Sequence, residues 1–136
     1  MTLKASEFAG LRRDPRWENA LARDLRTLSE SERFRFLDEL LSVQPTVALG
    51  LARRCLSQKA SFEAILERGL GEADASSIRD WLACVTPHLG MRRVIRRLRE
   101  LLPGHRAMVK AAAYWLPEFL KGSGCSEADL KWLAAA

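Results

Sequence analysis

The stretch Met91-Arg-Arg-Val-Ile-Arg-Arg-Leu-Arg-Glu-Leu-Leu102 decides the fold class of this 136-residue chain. Its apolar residues recur at i, i+3, i+4, i+7, i+10 and i+11, which is the spacing of one face of an α-helix. The remaining positions are almost all arginine. The segment therefore predicts an amphipathic helix with one buried face and one strongly basic face.

Helix signals continue on both sides of this segment, and strand signals are nearly absent. Asp14-Pro15 and the capping box Ser29-Glu-Ser-Glu32 predict helix starts, and Gln44-Pro45 predicts a boundary between two helices. We expect an all-α fold of about eight helices in antiparallel hairpins. The predicted helices start near residues 15, 29, 45, 61, 74, 87, 105 and 126.

Glycine and proline set the predicted boundaries around the basic helix. Gly69 and Gly71 predict the end of a short helix that Ser61 opens. Thr86-Pro87 predicts that the next helix stops and that the basic helix runs from residue 87 to 102. Pro117 predicts a kink or an end in the helix that follows.

Two stretches of the chain resemble each other. Leu37-x-x-Leu40-Leu41 precedes Pro45 much as Ile78-x-x-Trp81-Leu82 precedes Pro87, and aligning the two prolines gives an offset of 42 residues. A helical hairpin with a period near 40 resembles HEAT and armadillo repeats, which implies a right-handed α-solenoid. The alternative is a compact helical bundle, including death-fold-like adaptor domains. The tetratricopeptide pattern of Trp, Leu-Gly, Tyr and Pro is missing.

The length predicts a single helical domain over residues 1–136. Residues 1–14 are expected to form an N-terminal extension, followed by repeat-like units at about 29–57, 74–102 and 105–134. The last unit includes a short helix that Ser126-Glu-Ala-Asp129 caps and that carries Leu130, Trp132 and Leu133.

The three cysteines predict a reducing compartment. Cys55, Cys84 and Cys125 have no second Cys or His at ligand spacing, so we expect free thiols and neither a metal nor a cofactor. Cys55 and Cys84 fall at apolar positions, whereas Cys125 beside Gly124 is the candidate for an exposed thiol. The chain has no apolar leader and no apolar window of spanning length, which predicts a cytoplasmic protein that does not cross a membrane.

The positive charge of the chain, +5 in total, is concentrated in one region. Residues 88–110 hold seven basic side chains and one acid, which leaves the rest of the chain at −1. The candidate binding residues are Arg92, Arg93, Arg96, Arg97, Arg99, Arg106 and Lys110.

Three hypotheses explain this basic face. An acidic surface on another protein would bind it, and the phosphates of a nucleic acid would bind the same residues with strong salt dependence. The third hypothesis is a merely solvated face, with some arginines paired to acids on neighbouring helices such as Glu67, Glu72 or Asp80. Of the two binding hypotheses, a non-catalytic module for an acidic protein is the first and a nucleic-acid-binding protein the alternative.

No catalytic group stands out in the sequence, so we expect a protein that is not an enzyme. His88 and His105 bracket the basic helix and share no helix face with a nucleophile. Glu63 and Glu67 share a face without a third ligand nearby. A helical enzyme would need distant acids to converge, for example Glu63, Asp80 and Glu118.

Overall fold

A computed structural model describes residues 3–131, and the chain divides between Ser61 and Phe62 into two compact units. The described residues form seven α-helices, four short 3₁₀ helices and no strand, so the prediction of an all-α fold is confirmed. The α-helices are α1 (Pro15–Leu25), α2 (Glu30–Val43), α3 (Pro45–Cys55), α4 (Lys59–Glu72), α5 (Ile78–Leu89), α6 (Met91–Leu101) and α7 (Arg106–Trp115). The 3₁₀ helices are Ala5–Phe8, Leu102–Gly104, Leu116–Phe119 and Glu127–Leu130. The single domain, and the solenoid as against the bundle, stay predictions.

The helix starts of the first unit follow the capping signals in the sequence. The Asp14 side chain accepts a hydrogen bond from the Arg16 backbone N–H at 2.8 Å, one residue after Pro15. Ser29 and Glu32 form the predicted capping box of α2. Gln44 alone separates α2 from α3, and the two helices pack against each other.

Arg33 on α2 closes the ends of two other segments of the first unit. Its guanidinium donates to the carbonyl oxygens of Arg26 at 2.8 Å, Leu28 at 2.9 Å and Cys55 at 2.9 Å. The last carbonyls of a helix have no partner within the helix, so a fixed cation beside them supplies the missing donors. Arg33 thus acts as a shared cap after α1 and at the end of α3.

Glu30 on α2 accepts hydrogen bonds from the connection between α3 and α4 and from the first turn of α4. Its carboxylate accepts from the Ser57 N–H at 3.1 Å, the Gln58 N–H at 3.3 Å and the Ser61 hydroxyl at 2.9 Å. Burial raises the pKa of Glu30, but the hydrogen bonds from Ser61, Gln58 and Ser57 together lower that pKa below its usual value. The folded connection therefore favours the ionised form of Glu30.

The predicted N-terminal extension contains a 3₁₀ helix that packs against the first unit. Phe8 at its end stacks on Trp17 with ring centroids 5.5 Å apart and meets the edge of Phe36 at 6.0 Å. Ala5 in the same short helix is buried.

Helix α4 continues through the two glycines that were expected to end it. It begins at Lys59 and reaches Glu72, so the prediction of a short helix closed by Gly69 is wrong. A Cβ at Gly69 would lie 2.7 Å from Cε3 of the buried Trp81 ring, closer than real contacts allow. Gly69 is therefore a close-packing residue between α4 and α5 and not a helix end.

The boundary between α5 and α6 lies at Gly90 and not at Pro87. Helix α5 contains Pro87 in its last turn and runs on to Leu89, so the expectation that Pro87 begins the basic helix is wrong. A proline in the last turn removes only one hydrogen bond to a carbonyl four residues earlier. Gly90 then adopts a φ of +84°, a left-handed conformation that favours glycine, and α6 begins at Met91.

The apolar face of α6 is buried as the spacing predicts, at Met91, Val94, Ile95 and Leu98. Helix α7 ends at Trp115 and a 3₁₀ helix with Pro117 follows, which confirms the predicted effect of that proline.

The predicted cap before the last helix is also present, since Ser126 and Asp129 form a capping box. Trp132 and Leu133 of that predicted helix lie outside the described residues. Among residues 3–131, no helix has both the length and the apolar character needed to cross a membrane.

Candidate functional site

Helix α6 sorts its arginines onto two sides. Arg97 bonds to Glu67 of α4 at 2.9 Å and to Glu100 at 2.8 Å, and Arg93 lies 3.6 Å from Glu63 of α4. The hydrogen bond that Arg97 donates to Glu100, with a smaller contribution from the one to Glu67, raises the pKa of Arg97, which stays charged. Arg93 and Arg97 are therefore engaged within the second unit, as the hypothesis of paired arginines predicts for Glu67.

The other three arginines of α6, Arg92, Arg96 and Arg99, lie on one exposed strip of the helix. We call them the groove-side arginines, because all three line a groove of about 440 Å³. Arg92 and Arg96 make no hydrogen bond or ion pair with any residue in the range 3–131. They stand one helical turn apart, where like charges repel.

The opposite wall of this groove comes from the segment after α7. Cys125, half-buried, and Asp129 line the groove together with Ile95 from the base of α6. Asp129 also accepts the Ser126 N–H at 2.7 Å in the capping box of the 3₁₀ helix Glu127–Leu130. We call this feature the arginine groove. Its floor is apolar, and its rim carries three positive charges and one negative charge.

The start of α6 adds to the positive potential on this side. Gly90 precedes the helix without a side-chain cap, and no acid stands in the first turn. The unpaired N–H groups of a helix N-terminus carry a partial positive charge. A second groove of about 460 Å³ beside this end is lined by Arg92 and Arg96 and by Ser123. The two grooves share these arginines.

The last two predicted site residues stand on α7. Arg106 and Lys110 are both exposed, and neither lines the arginine groove. Lys110 lines a different groove of about 540 Å³ with Tyr114, one turn further along α7. The structure thus brings together three of the seven predicted residues, turns two toward α4 and places two elsewhere.

The histidines and the two predicted core cysteines lie outside the arginine groove. His88 lies in the last turn of α5, not in α6, and its ring stacks on Phe62 with centroids 4.0 Å apart. His105 occupies the position before α7. Cys55 and Cys84 are buried as predicted.

Two of the three acids considered for a catalytic cluster have basic partners. Glu118 pairs with Arg79, which lowers the pKa of Glu118. Glu63 lies beside Arg93 on the far side of α6 from the arginine groove.

Comparison with known proteins gives no match to a family model, to a curated protein or to a solved structure.

The sequence analysis did not predict the residues that face the basic side chains across the arginine groove and across the groove at Lys110. Cys125 and Asp129 stand 24 and 28 residues after the end of α6, so no local pattern connects them with the arginines. The position of Tyr114 beside Lys110 was predictable from the sequence, because Tyr114 follows Lys110 at i+4 and therefore shares its helix face.

Proposed function

We propose that this protein is a non-catalytic interaction module that binds an acidic segment of another protein in the arginine groove. One observation carries the proposal: Arg92 and Arg96 are exposed and unpaired within residues 3–131, whereas Arg93 and Arg97 of the same helix are paired to acids. Two like charges one turn apart destabilise a free helix by about 0.2–0.5 kcal/mol. A carboxylate placed between them removes this repulsion and adds charge-assisted hydrogen bonds.

The walls of the groove favour a protein over a nucleic acid. The apolar floor at Ile95 matches side chains that a peptide supplies and a phosphate chain does not. Among residues 3–131, no aromatic ring lines the arginine groove, whereas single strands are bound by stacking bases on such rings.

The architecture and the location belong to the same proposal. Gln44 alone joins α2 to α3, and Gly90 alone joins α5 to α6, and such tight helical pairs support HEAT-like hairpins. The cysteines of the described chain are free thiols, which supports a cytoplasmic protein.

The test is fluorescence anisotropy of a labelled glutamate-rich peptide with the purified protein at about 50 and 200 mM salt. The test variant replaces Arg92, Arg96 and Arg99 by glutamine. The control variant makes the same change at Arg12, Arg23 and Arg53, which are exposed in the first unit, so both variants lose equal charge. Labelled single- and double-stranded DNA and RNA are titrated in parallel.

We expect the peptide to bind at low salt, to weaken as salt rises, and to lose about tenfold or more in affinity in the test variant alone. Tighter binding of nucleic acid than of peptide, lost in the test variant, would establish the alternative function instead. Equal losses in both variants would show that net charge and not the groove binds the peptide, and would overturn the proposal.

A further inference from the structure

The groove lined by Lys110 and Tyr114 lies against the same 3₁₀ helix, Glu127–Leu130, that walls the arginine groove. Ala128 and Asp129 of this short helix line the arginine groove, whereas Glu127 and Leu130 line the other. This groove has a volume of about 540 Å³. We call it the tyrosine groove, because Tyr114 of α7 forms one of its walls.

Tyr114 exposes a large aromatic ring to solvent, although burial of such a ring is favourable. Its side chain is 76% exposed, the largest value among the exposed large hydrophobic residues of the described chain. The Tyr114 ring meets the Trp115 ring edge-on, with centroids 5.1 Å apart. Trp115 in turn lies under the Arg79 guanidinium at 6.0 Å, and Arg79 is paired with Glu118. An exposed aromatic ring with a fixed neighbour is a common anchor in protein interfaces.

The residues that line the tyrosine groove indicate which kind of ligand it binds. Pro117, Leu130 and the Tyr114 ring give it an apolar surface. Lys110 and Lys131 add two positive charges against the one negative charge of Glu127. An acidic segment that carries one apolar side chain complements both features. The apolar side chain would pack on the apolar surface, and the carboxylates of the segment would pair with the lysines beside it.

From these observations we infer that the partner segment carries an aromatic or large aliphatic residue next to its acidic run. The acidic run binds in the arginine groove, and the apolar side chain binds against Tyr114 in the tyrosine groove. The 3₁₀ helix between the grooves contacts both parts of the segment. This inference rests on the proposed function, and it adds the partner's sequence character to it.

The experiment measures the binding of three labelled peptides to the 136-residue chain by fluorescence anisotropy. One peptide is rich in glutamate alone, and the other two carry in addition a phenylalanine at the N-terminal or the C-terminal end. The variant is Tyr114→Ala, which keeps a good helix former on α7. Leu11→Ala is the matched control, since Leu11 is 44% exposed and lies in the first unit.

We expect one phenylalanine peptide to bind about tenfold tighter than the glutamate peptide, as for an anchor residue in an interface. Tyr114→Ala is expected to abolish this difference and to leave the affinity for the glutamate peptide unchanged. Leu11→Ala is expected to alter neither affinity.

Two results would contradict the inference in different ways. If the glutamate peptide binds through the groove-side arginines but phenylalanine adds no affinity, or Tyr114→Ala leaves the added affinity in place, the inference is overturned and the proposed function stands. If the glutamate peptide does not bind the unmodified protein at low salt, the proposed function fails and the inference fails with it.

Discussion

Charged side chains of α2 in the first unit and of α6 in the second unit have different roles. In the first unit, Arg33 and Glu30 of α2 bond to backbone carbonyls and N–H groups that the helix ends leave unpaired. In the second unit, a buried ring against Gly69 brings α4 and α5 together, and Arg92 and Arg96 stand at the surface without partners in the described chain. A charged residue is therefore a candidate for binding where the fold does not already need it.

The strongest test of this comparison is the replacement of Arg33 by glutamine. The change removes charged donors from three carbonyl oxygens, so we expect the free energy of unfolding to fall by about 2–3 kcal/mol. Urea unfolding followed by circular dichroism measures it. Arg35→Gln on the same helix is the control, since Arg35 is exposed, and it should change stability by less than about 0.5 kcal/mol. Equal effects of the two changes would break the comparison.

The second test concerns packing in the second unit. Gly69→Ala places a Cβ 2.7 Å from the Trp81 ring, and we expect a net loss of about 1–2 kcal/mol because neither helix can move freely. Gly50→Ala in α3 has open space around its new Cβ. It should raise stability by about 0.5–1 kcal/mol through helix propensity alone. Thermal unfolding of both variants checks the opposite signs, and a stabilising Gly69→Ala would refute the close-packing role.

The third test uses pH to isolate Glu30. Because the folded pKa of Glu30 lies below its usual value of 4.5, its contribution is complete above that value and disappears as pH falls through the lower folded pKa. Glu30→Gln should therefore cost about 1 kcal/mol at neutral pH, the size of a helix-cap effect, and much less at about pH 3. Urea unfolding of both proteins at the two pH values measures the difference. A cost that does not depend on pH would mean that Glu30 acts through its shape and not its charge.

The smallest effect separates two neighbours on α6. Arg97→Gln removes ion pairs to Glu67 and Glu100, whose side chains are about half exposed, so we expect a loss of only about 0.5–1 kcal/mol. Arg96→Gln should leave stability within about 0.5 kcal/mol of the unmodified protein. Binding of the glutamate-rich peptide should show the reverse order, with the larger loss in Arg96→Gln. The same order in both measurements would remove the distinction between structural and binding arginines.

Local sequence signals predict those parts of this fold that local physics determines. The capping boxes at Ser29 and Ser126 and the apolar spacing of α6 appear in the structure as expected. The predictions at Gly69 and Pro87 were wrong for a common reason. Glycine and proline end helices in isolation, but Gly69 is required by a ring on another helix and Pro87 loses just one bond in a last turn.

The candidate site was predicted only in part because its selection is not local. The basic face was visible as a run of arginines, but the partner of Arg97 stands 30 residues earlier, on α4. The acid that walls the arginine groove, Asp129, comes from beyond α7. Which arginines remain available for binding thus depends on the packing of helices that sequence periodicity does not place.

The single residue between α5 and α6 limits how this surface can change over evolution. With Gly90 as the whole connection, the rotation of α6 about its axis is determined by the buried face of the helix and has no loop to absorb an error. A residue inserted or deleted within α6 would turn all following side chains by about 100°, and would exchange buried and exposed positions. The exposed arginines can therefore be replaced one by one as a partner changes. An insertion or deletion in α6, by contrast, would disrupt its buried face.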